Sequence, residues 1–129
     1  MVVVAVIGLA TAAVVMTVPP PGQPVGVEAE RFAARLIRAR EEALLTSRAV
    51  AVEVDAEGYR FVSFDGDAWA PLNEGPFRAD VWDQGTTVAA PARIVFDVVG
   101  AAEPAVATLT RGRAMSRIEI DAAGEVRLK

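Results

Sequence analysis

The sequence predicts an α+β fold in which one amphipathic helix packs on antiparallel β-sheet. Apolar residues recur with the helical period between residues 28 and 47, and they alternate with a period of two in most segments after residue 48. No strand–helix–strand unit occurs, so we expect antiparallel strands, because parallel neighbours need a crossover connection. An uncharged apolar segment precedes this domain and needs a separate explanation.

That first segment, residues 1–18, contains no charged side chain, and Thr11 and Thr17 are its only polar residues. As a helix it would extend roughly 27 Å, slightly less than the ~30 Å hydrocarbon core of a bilayer. We predict a stem that lies in a membrane or packs in a protein assembly. Its large apolar residues are Val2, Val3, Val4, Val6, Ile7, Leu9, Val14, Val15 and Met16.

Two alternatives to a stem remain open for residues 1–18. A cleaved signal peptide would have basic residues at its start and a small-x-small cleavage site, whereas this segment has no Lys or Arg and ends at three prolines. A buried core helix would have a polar face towards water, and this segment is apolar on all sides.

Residues 19–27 are predicted to be a Pro/Gly linker, because four prolines and two glycines cannot continue a helix. The domain itself is expected to span residues 28–129. Its helix, residues 28–47, places Ala29, Phe32, Ala33, Leu36, Ala39 and Ala43 on one face, with Ile37 and Leu44 beside them. Arg40 falls inside this apolar stripe. We expect it to extend out of the edge of the interface; the alternative is a carboxylate partner on the sheet or on a neighbouring subunit.

The second half of the chain is predicted to contain short strands only. Residues 50–54 and 59–64 form a hairpin around the turn 55–58, because apolar residues alternate on both sides of an Asp/Gly-rich segment. Further strands are expected at 69–72, 78–82, 87–89, 94–98, 105–110, 114–120 and 125–128.

The composition leaves little scope for catalysis. The 129 residues include no Cys and no His, which excludes disulfides, thiol nucleophiles and the usual general base. The carboxylate pairs Asp55/Glu57 and Asp65/Asp67 could belong to a cation site, but both lie in predicted turns, where Asp is favoured for backbone reasons. We therefore predict no catalytic residue, no metal and no cofactor.

One basic cluster, Arg111, Arg113 and Arg117, is a candidate contact for nucleic acid or for an acidic partner. If residues 111–113 form a hairpin tip, two guanidinium groups project together into solvent. The simpler interpretation is a solvated turn. A net charge of -4 makes nucleic acid an improbable partner for the chain as a whole.

The overall layout resembles type IV pilin-like proteins, and within them the GspH/FimT family of minor pseudopilins. MVVVAVIGLATAAVVM resembles the inner part of a pilin stem, and ARLIRAREEALLTSRAVAVEV resembles the passage from helix to first strand. RIVFDVVG and RIEIDAAGEVRL resemble the late strand and the closing hairpin of the family. Together these segments extend over nearly the full chain. Their order and spacing are more specific to the family than any single segment is.

The resemblance implies a pilin-like structural subunit at the tip of a type II secretion pseudopilus. It implies a single-pass protein of the bacterial inner membrane with a periplasmic domain, leader cleavage and methylation by prepilin peptidase, and stem contacts with other minor and major pseudopilins. The alternative is a FimT-like minor pilin of a type IV pilus that binds DNA through the arginine cluster.

Two features depart from the family pattern. The basic leader, its cleavage site and the following glutamate are absent before Met1, so we expect the true start to lie upstream, a real truncation being the alternative. PPPGQPVG is also longer than the single proline kink expected at that position.

Overall fold

In the computed structural model, which describes residues 25–129, the amphipathic helix α1 spans Val25–Thr46. It begins three residues before the predicted start at Glu28, so the last three residues of the predicted linker belong to the helix. It ends at Thr46 because Ser47 adopts a φ of 54°, the left-handed conformation at which helices commonly stop. The predicted stem, residues 1–18, lies outside the described residues. Within residues 25–129, no helix is sufficiently long and apolar to cross a membrane.

Nine strands follow the helix, together with one short 3-10 helix, Gly75–Phe77. The strands are β1 (Val50–Val54), β2 (Gly58–Phe64), β3 (Trp69–Leu72), β4 (Asp80–Val81), β5 (Thr86–Val88), β6 (Ala92–Phe96), β7 (Ala105–Arg111), β8 (Ala114–Ile120) and β9 (Val126–Leu128).

These strands form two sheets in which every pairing is antiparallel. The first sheet has the order β3-β2-β1-β6, with β4 beside β2, and the second has the order β5-β7-β8-β9. The predicted hairpin is β1–β2, in which Val52 pairs with Phe61. The α+β fold with one helix on antiparallel sheet is therefore confirmed.

Helix α1 packs against both sheets and closes a single core. The ring of Phe32 contacts Tyr59 and Trp82 edge-on, with centroid distances of 4.7 and 5.4 Å. Burying large aromatic side chains dominates core energetics, and edge-on pairs add about 0.5–1.5 kcal/mol each. The apolar face predicted from the helical period is thus the face that meets the sheets.

Two predicted strands differ from those in the structure by more than one residue at an end. The strand predicted at 78–82 is only the two-residue β4, which pairs with the start of β2. The strand predicted at 94–98 is β6, which ends at Phe96. There the Asp97 carboxylate accepts hydrogen bonds from the backbone N–H groups of Val99 and Ala101 and bends the chain into a turn.

Candidate functional site

The side of helix α1 that faces away from the sheets carries four exposed apolar residues. Val27, Ile37, Leu44 and Leu45 are 40, 46, 42 and 83% exposed. We call these four residues the outer helix surface. Ile37 and Leu44 are about half exposed, as expected for residues at the margin of the buried face. Exposed apolar residues along a helix are available to a protein partner.

A buried carboxylate fixes the first turn of α1 to the second sheet. Glu28 is only 4% exposed, and its two oxygens accept hydrogen bonds from the backbone N–H of Asp83, at 2.6 Å, and the hydroxyl of Thr86, at 2.7 Å. Both bonds satisfy carboxyl oxygens that are shielded from water, where an unpaired polar atom would be costly. They hold the loop before β5 against the start of the helix.

A second polar contact fixes the helix twelve residues further on. Arg40 Nε donates a hydrogen bond to the carbonyl oxygen of Gly100 at 2.9 Å. The same side chain lies against the turn at Gly124, where a β-carbon would be 2.8 Å from Arg40 Nε. Among the described residues Arg40 meets a backbone carbonyl and not a carboxylate of the sheet, because two adjacent turns place that acceptor within reach of the helix; a carboxylate on a neighbouring subunit stays a prediction.

The arginine cluster is divided by the hairpin geometry. Gly112 and Arg113 form the two-residue loop between β7 and β8, and Gly112 has a φ of 61°, which suits glycine at the first position of a II′ turn. Arg111 lies on the same side of β7 as the buried Leu109, is half-buried, and passes along Gly85. Arg117 lies on the opposite side of the sheet, because side chains alternate along a strand.

Arg113 and Arg117 also differ in their surroundings. Arg117 Nη2 lies 3.2 Å from Glu119, whose other oxygen is 3.4 Å from Lys129 Nζ. Arg113 is exposed at the loop and forms no ion pair with any residue between 25 and 129. The hairpin tip is therefore where the sequence placed it, but the three guanidinium groups do not converge. A contact between this cluster and nucleic acid stays a prediction.

The stem residues singled out from the sequence, Val2, Val3, Val4, Val6, Ile7, Leu9, Val14, Val15 and Met16, lie outside the described part of the chain. Their role in a membrane or an assembly stays a prediction.

The two carboxylate pairs of the first sheet serve its turns. Asp55 Oδ1 accepts hydrogen bonds from the backbone N–H groups of Glu57 and Gly58, and these bonds, with the Arg60 side chain, hold the pKa of Asp55 below its usual value. Asp65 accepts equivalent bonds from the two backbone N–H groups that follow Gly66, which lower its pKa in the same way. In residues 25–129, no group of three or more Asp, Glu, His or Cys side chains is placed to hold a metal ion.

Sequence reasoning missed the contacts of Glu28 and Arg40. No partner was predicted for Glu28, although its position four residues before Phe32 places it on the buried face. The partners of Arg40 follow the pattern Asp-Xaa-Xaa-Gly, as DVVG at 97–100 and as DAAG at 121–124. The same pattern occurs as DAEG at 55–58 in the β1–β2 turn, so it predicts similar turns but not which of them pack together.

Comparison with known proteins gives one family and several similar folds. The model of the family described as "Type II transport protein GspH" matches residues 28–124. The minor pseudopilin EpsH from the type 2 secretion system of Vibrio cholerae is similar in structure, with a TM-score of 0.68 and 18% identity over 81% of this chain and 94% of that one. The type IV minor pilin FimU of Pseudomonas aeruginosa gives a TM-score of 0.57 and 24% identity over 78% of this chain and 84% of that one. No curated protein sequence gives a significant match.

Proposed function

This chain belongs to the GspH family of type II transport proteins, and from that membership we propose that it is a minor pseudopilin, a structural subunit at the tip of a type II secretion pseudopilus. Residues 1–18 are then its stem in the inner membrane, and the domain described above is its periplasmic head. Prepilin peptidase would cleave and methylate the chain, and the stem would pack among those of other minor and major pseudopilins. The subunit would take part in protein export across the outer membrane without catalysing a reaction.

The outer helix surface is the observation that carries this proposal. Leu45 is the most exposed large apolar residue of the described chain, and burying it together with Ile37 in a filament would gain about 25 cal/mol for each Å² removed from water. In the sequence this helix follows the apolar residues 1–18, from which six residues separate it. A subunit that packs through its helix in a filament would bury the stem and the outer helix surface together.

A type IV pilus subunit is the second candidate function, and the similarity to the minor pilin FimU favours it. In its FimT-like form, DNA would bind through Arg111, Arg113 and Arg117. Because Arg111 and Arg117 lie on opposite sides of the second sheet, such a contact would depend mainly on Arg113. DNA binding through one unpaired arginine would be weak, since affinity grows with the number of phosphates neutralised.

Complementation in the native host tests the proposal. Deletion of the gene should abolish secretion of type II cargo, and the wild-type gene should restore it. The double variant Ile37→Glu, Leu45→Glu should fold normally and fail to restore secretion, because it places charges on the surface that would be buried in the filament. The control is Val106→Glu, which changes a residue of similar exposure (48%) on the outer side of β7 and should restore secretion.

The same complementation experiment distinguishes a type II secretion subunit from a type IV pilus subunit. Loss of piliation or of DNA uptake with secretion intact would assign the chain to a type IV pilus. Full secretion by the Ile37→Glu, Leu45→Glu variant would contradict the role of the outer helix surface.

A further inference from the structure

Arg113 has no carboxylate partner among the described residues, unlike Arg60, Arg117 and Arg127. Arg60, Arg117 and Arg127 each have a guanidinium nitrogen within 3.1 to 3.4 Å of an Asp or Glu oxygen. Arg113 forms no such pair with any described residue. Its planar donors are therefore available to an external anion, and phosphate is a group that guanidinium binds well.

The surface around Arg113 contains apolar and hydroxyl groups. Met115, two residues along β8, is 51% exposed and pairs across the strands with Thr110, which pairs in turn with Thr87. We call Gly112, Arg113 and Met115 the hairpin tip. A cation beside a flexible apolar side chain suits the boundary between lipid headgroups and acyl chains, where the cation meets phosphate and the apolar group enters the bilayer.

Two carboxylates near the hairpin tip, those of Glu28 and Glu119, are engaged elsewhere. Glu28 is buried, and its two oxygens accept hydrogen bonds from Asp83 N–H and the Thr86 hydroxyl. Glu119, further along β8, is paired with Arg117 and Lys129. The Asp83 side chain is half-buried. Neither of these two glutamates forms an ion pair with Arg113, so its positive charge is not neutralised by them.

The hairpin tip lies at the end of the head where the helix begins. Arg111, which precedes the tip, pairs with Thr86, and the Thr86 hydroxyl is bonded to Glu28 in the first turn of α1. At its other end β8 leads to the turn 121–124, which lies against Arg40. Glu28 and Arg40 are twelve residues apart, roughly 18 Å along a helix. The second sheet thus runs along the helix, with the tip at the Val25 end, the end from which the sequence continues back to residues 1–18.

From this placement, we propose that the hairpin tip binds the phosphate groups of anionic lipids at the surface of the membrane that holds residues 1–18. The inference rests on the proposed function for the position of the membrane. Arg113 supplies the charge, Met115 enters the headgroup boundary, and the contact orients the head on the membrane before the subunit enters a filament. A membrane fits better than nucleic acid, because the tip offers one unpaired arginine with an apolar neighbour in a chain of net charge -4.

The full chain in lipid vesicles allows a direct test, since it contains no cysteine and accepts a single introduced thiol. A fluorophore on Gln84→Cys reports on the tip, because Gln84 is exposed and precedes Gly85, along which Arg111 passes. The same fluorophore on Val99→Cys reports on the opposite end of the head. The vesicles are phosphatidylcholine alone or an equimolar mixture with phosphatidylglycerol, each with a headgroup nitroxide as quencher.

We expect stronger quenching at Gln84→Cys in the anionic vesicles, reduced by salt, and no difference at Val99→Cys. Arg113→Ala should lower the bound fraction of the tip about fivefold, the effect of one arginine near an anionic surface. Arg113→Lys should retain most of the binding. The matched control Arg117→Ala removes the same charge from the same hairpin, but from a side chain already paired with Glu119, and should leave the quenching unchanged.

Vesicle flotation, measured on the same samples, distinguishes failure of the lipid contact from failure of the proposed membrane-anchored function. If the chain floats with the vesicles but quenching is equal in both lipids, or unaffected by Arg113→Ala, the lipid contact is overturned and the proposed function stands. If the chain does not float with either vesicle, the membrane-anchored function is overturned and the lipid contact with it. If duplex DNA, and not anionic lipid, changes the fluorescence at Gln84→Cys, the ligand of the tip is nucleic acid and the lipid proposal is wrong.

Discussion

The contact between the two Asp-Xaa-Xaa-Gly turns predicts a large penalty for the single substitution Gly124→Ala. Gly124 has a φ of 82°, and an added β-carbon would overlap the carbonyl oxygen of Gly100. The left-handed conformation costs an alanine about 1–2 kcal/mol. Moving the Gly100 carbonyl away also breaks its hydrogen bond from Arg40, and bonds to charged groups contribute about 1.5–3 kcal/mol. We therefore expect the free energy of unfolding to fall by about 3–5 kcal/mol, a large part of the 5–15 kcal/mol of a typical domain.

Urea unfolding of the full chain in detergent, followed by tryptophan fluorescence, measures this loss, because Trp82 is buried in the core. The matched control is Gly66→Ala. Gly66 also has a positive φ, 108°, but a β-carbon there would meet no atom within 4 Å, so only the conformational cost of about 1–2 kcal/mol applies. Equal losses for Gly124→Ala and Gly66→Ala would refute the reasoning, since the packing of the two turns would then contribute nothing.

Three further substitutions test other parts of the fold. Glu28→Gln should lower the free energy of unfolding by about 1–3 kcal/mol and speed hydrogen exchange of the Asp83 amide, because the new NH2 group cannot accept one of the two buried hydrogen bonds; unchanged exchange would contradict this. The pKa of Asp55 is lowered by the backbone N–H groups of Gly58 and Glu57, so the stability it contributes is present above its ordinary pKa of 3.8 and is lost as the pH falls through the lower folded value. Asp55→Asn should therefore weaken the pH dependence of urea unfolding on the acid side, and an unaltered dependence would exclude this cause. Ser47→Gly should raise the melting temperature by relieving a positive φ of 54°, for a gain of about 0.5–1 kcal/mol, and a decrease would show that the strain is not relieved there.

The period of the apolar residues was sufficient to predict the fold class and the main elements. Strand β8 has the predicted bounds, and the hairpin β1–β2 turns at Asp55 as expected, because side-chain alternation and turn residues are local properties of the chain. The start of the helix was less well predicted, three residues too late. Its end at Thr46 is one residue from the expected 47, although a serine occupies the left-handed position where glycine is usual.

The surfaces were harder to predict than the elements, because they depend on which strands become neighbours. The sequence places Arg111, Arg113 and Arg117 close together, but the pleat of β7 and β8 directs Arg111 and Arg117 to opposite sides of the sheet. Arg117 is paired with Glu119, whereas Arg113 forms no ion pair in the described part of the chain, and its position relative to the start of the helix follows from the pairing of β5 with β7. No local sequence pattern predicts the pairing of β5 with β7, which places Thr86 opposite Arg111, 25 positions later in the chain.

Polar contacts of Glu28, Arg35 and Arg40 add specific geometry to the packing of α1, whose buried face is mostly small and apolar. Apolar burial is non-directional, so the close packing of Phe32 and Leu36 is reinforced by groups that require specific distances and angles. Glu28 and Arg40 supply such bonds at two points about three helical turns apart, each to a connection between the two sheets. The outer helix surface and the hairpin tip consequently keep a defined spacing from each other. A subunit that must present one surface to a filament and another to a membrane needs that spacing to be constant.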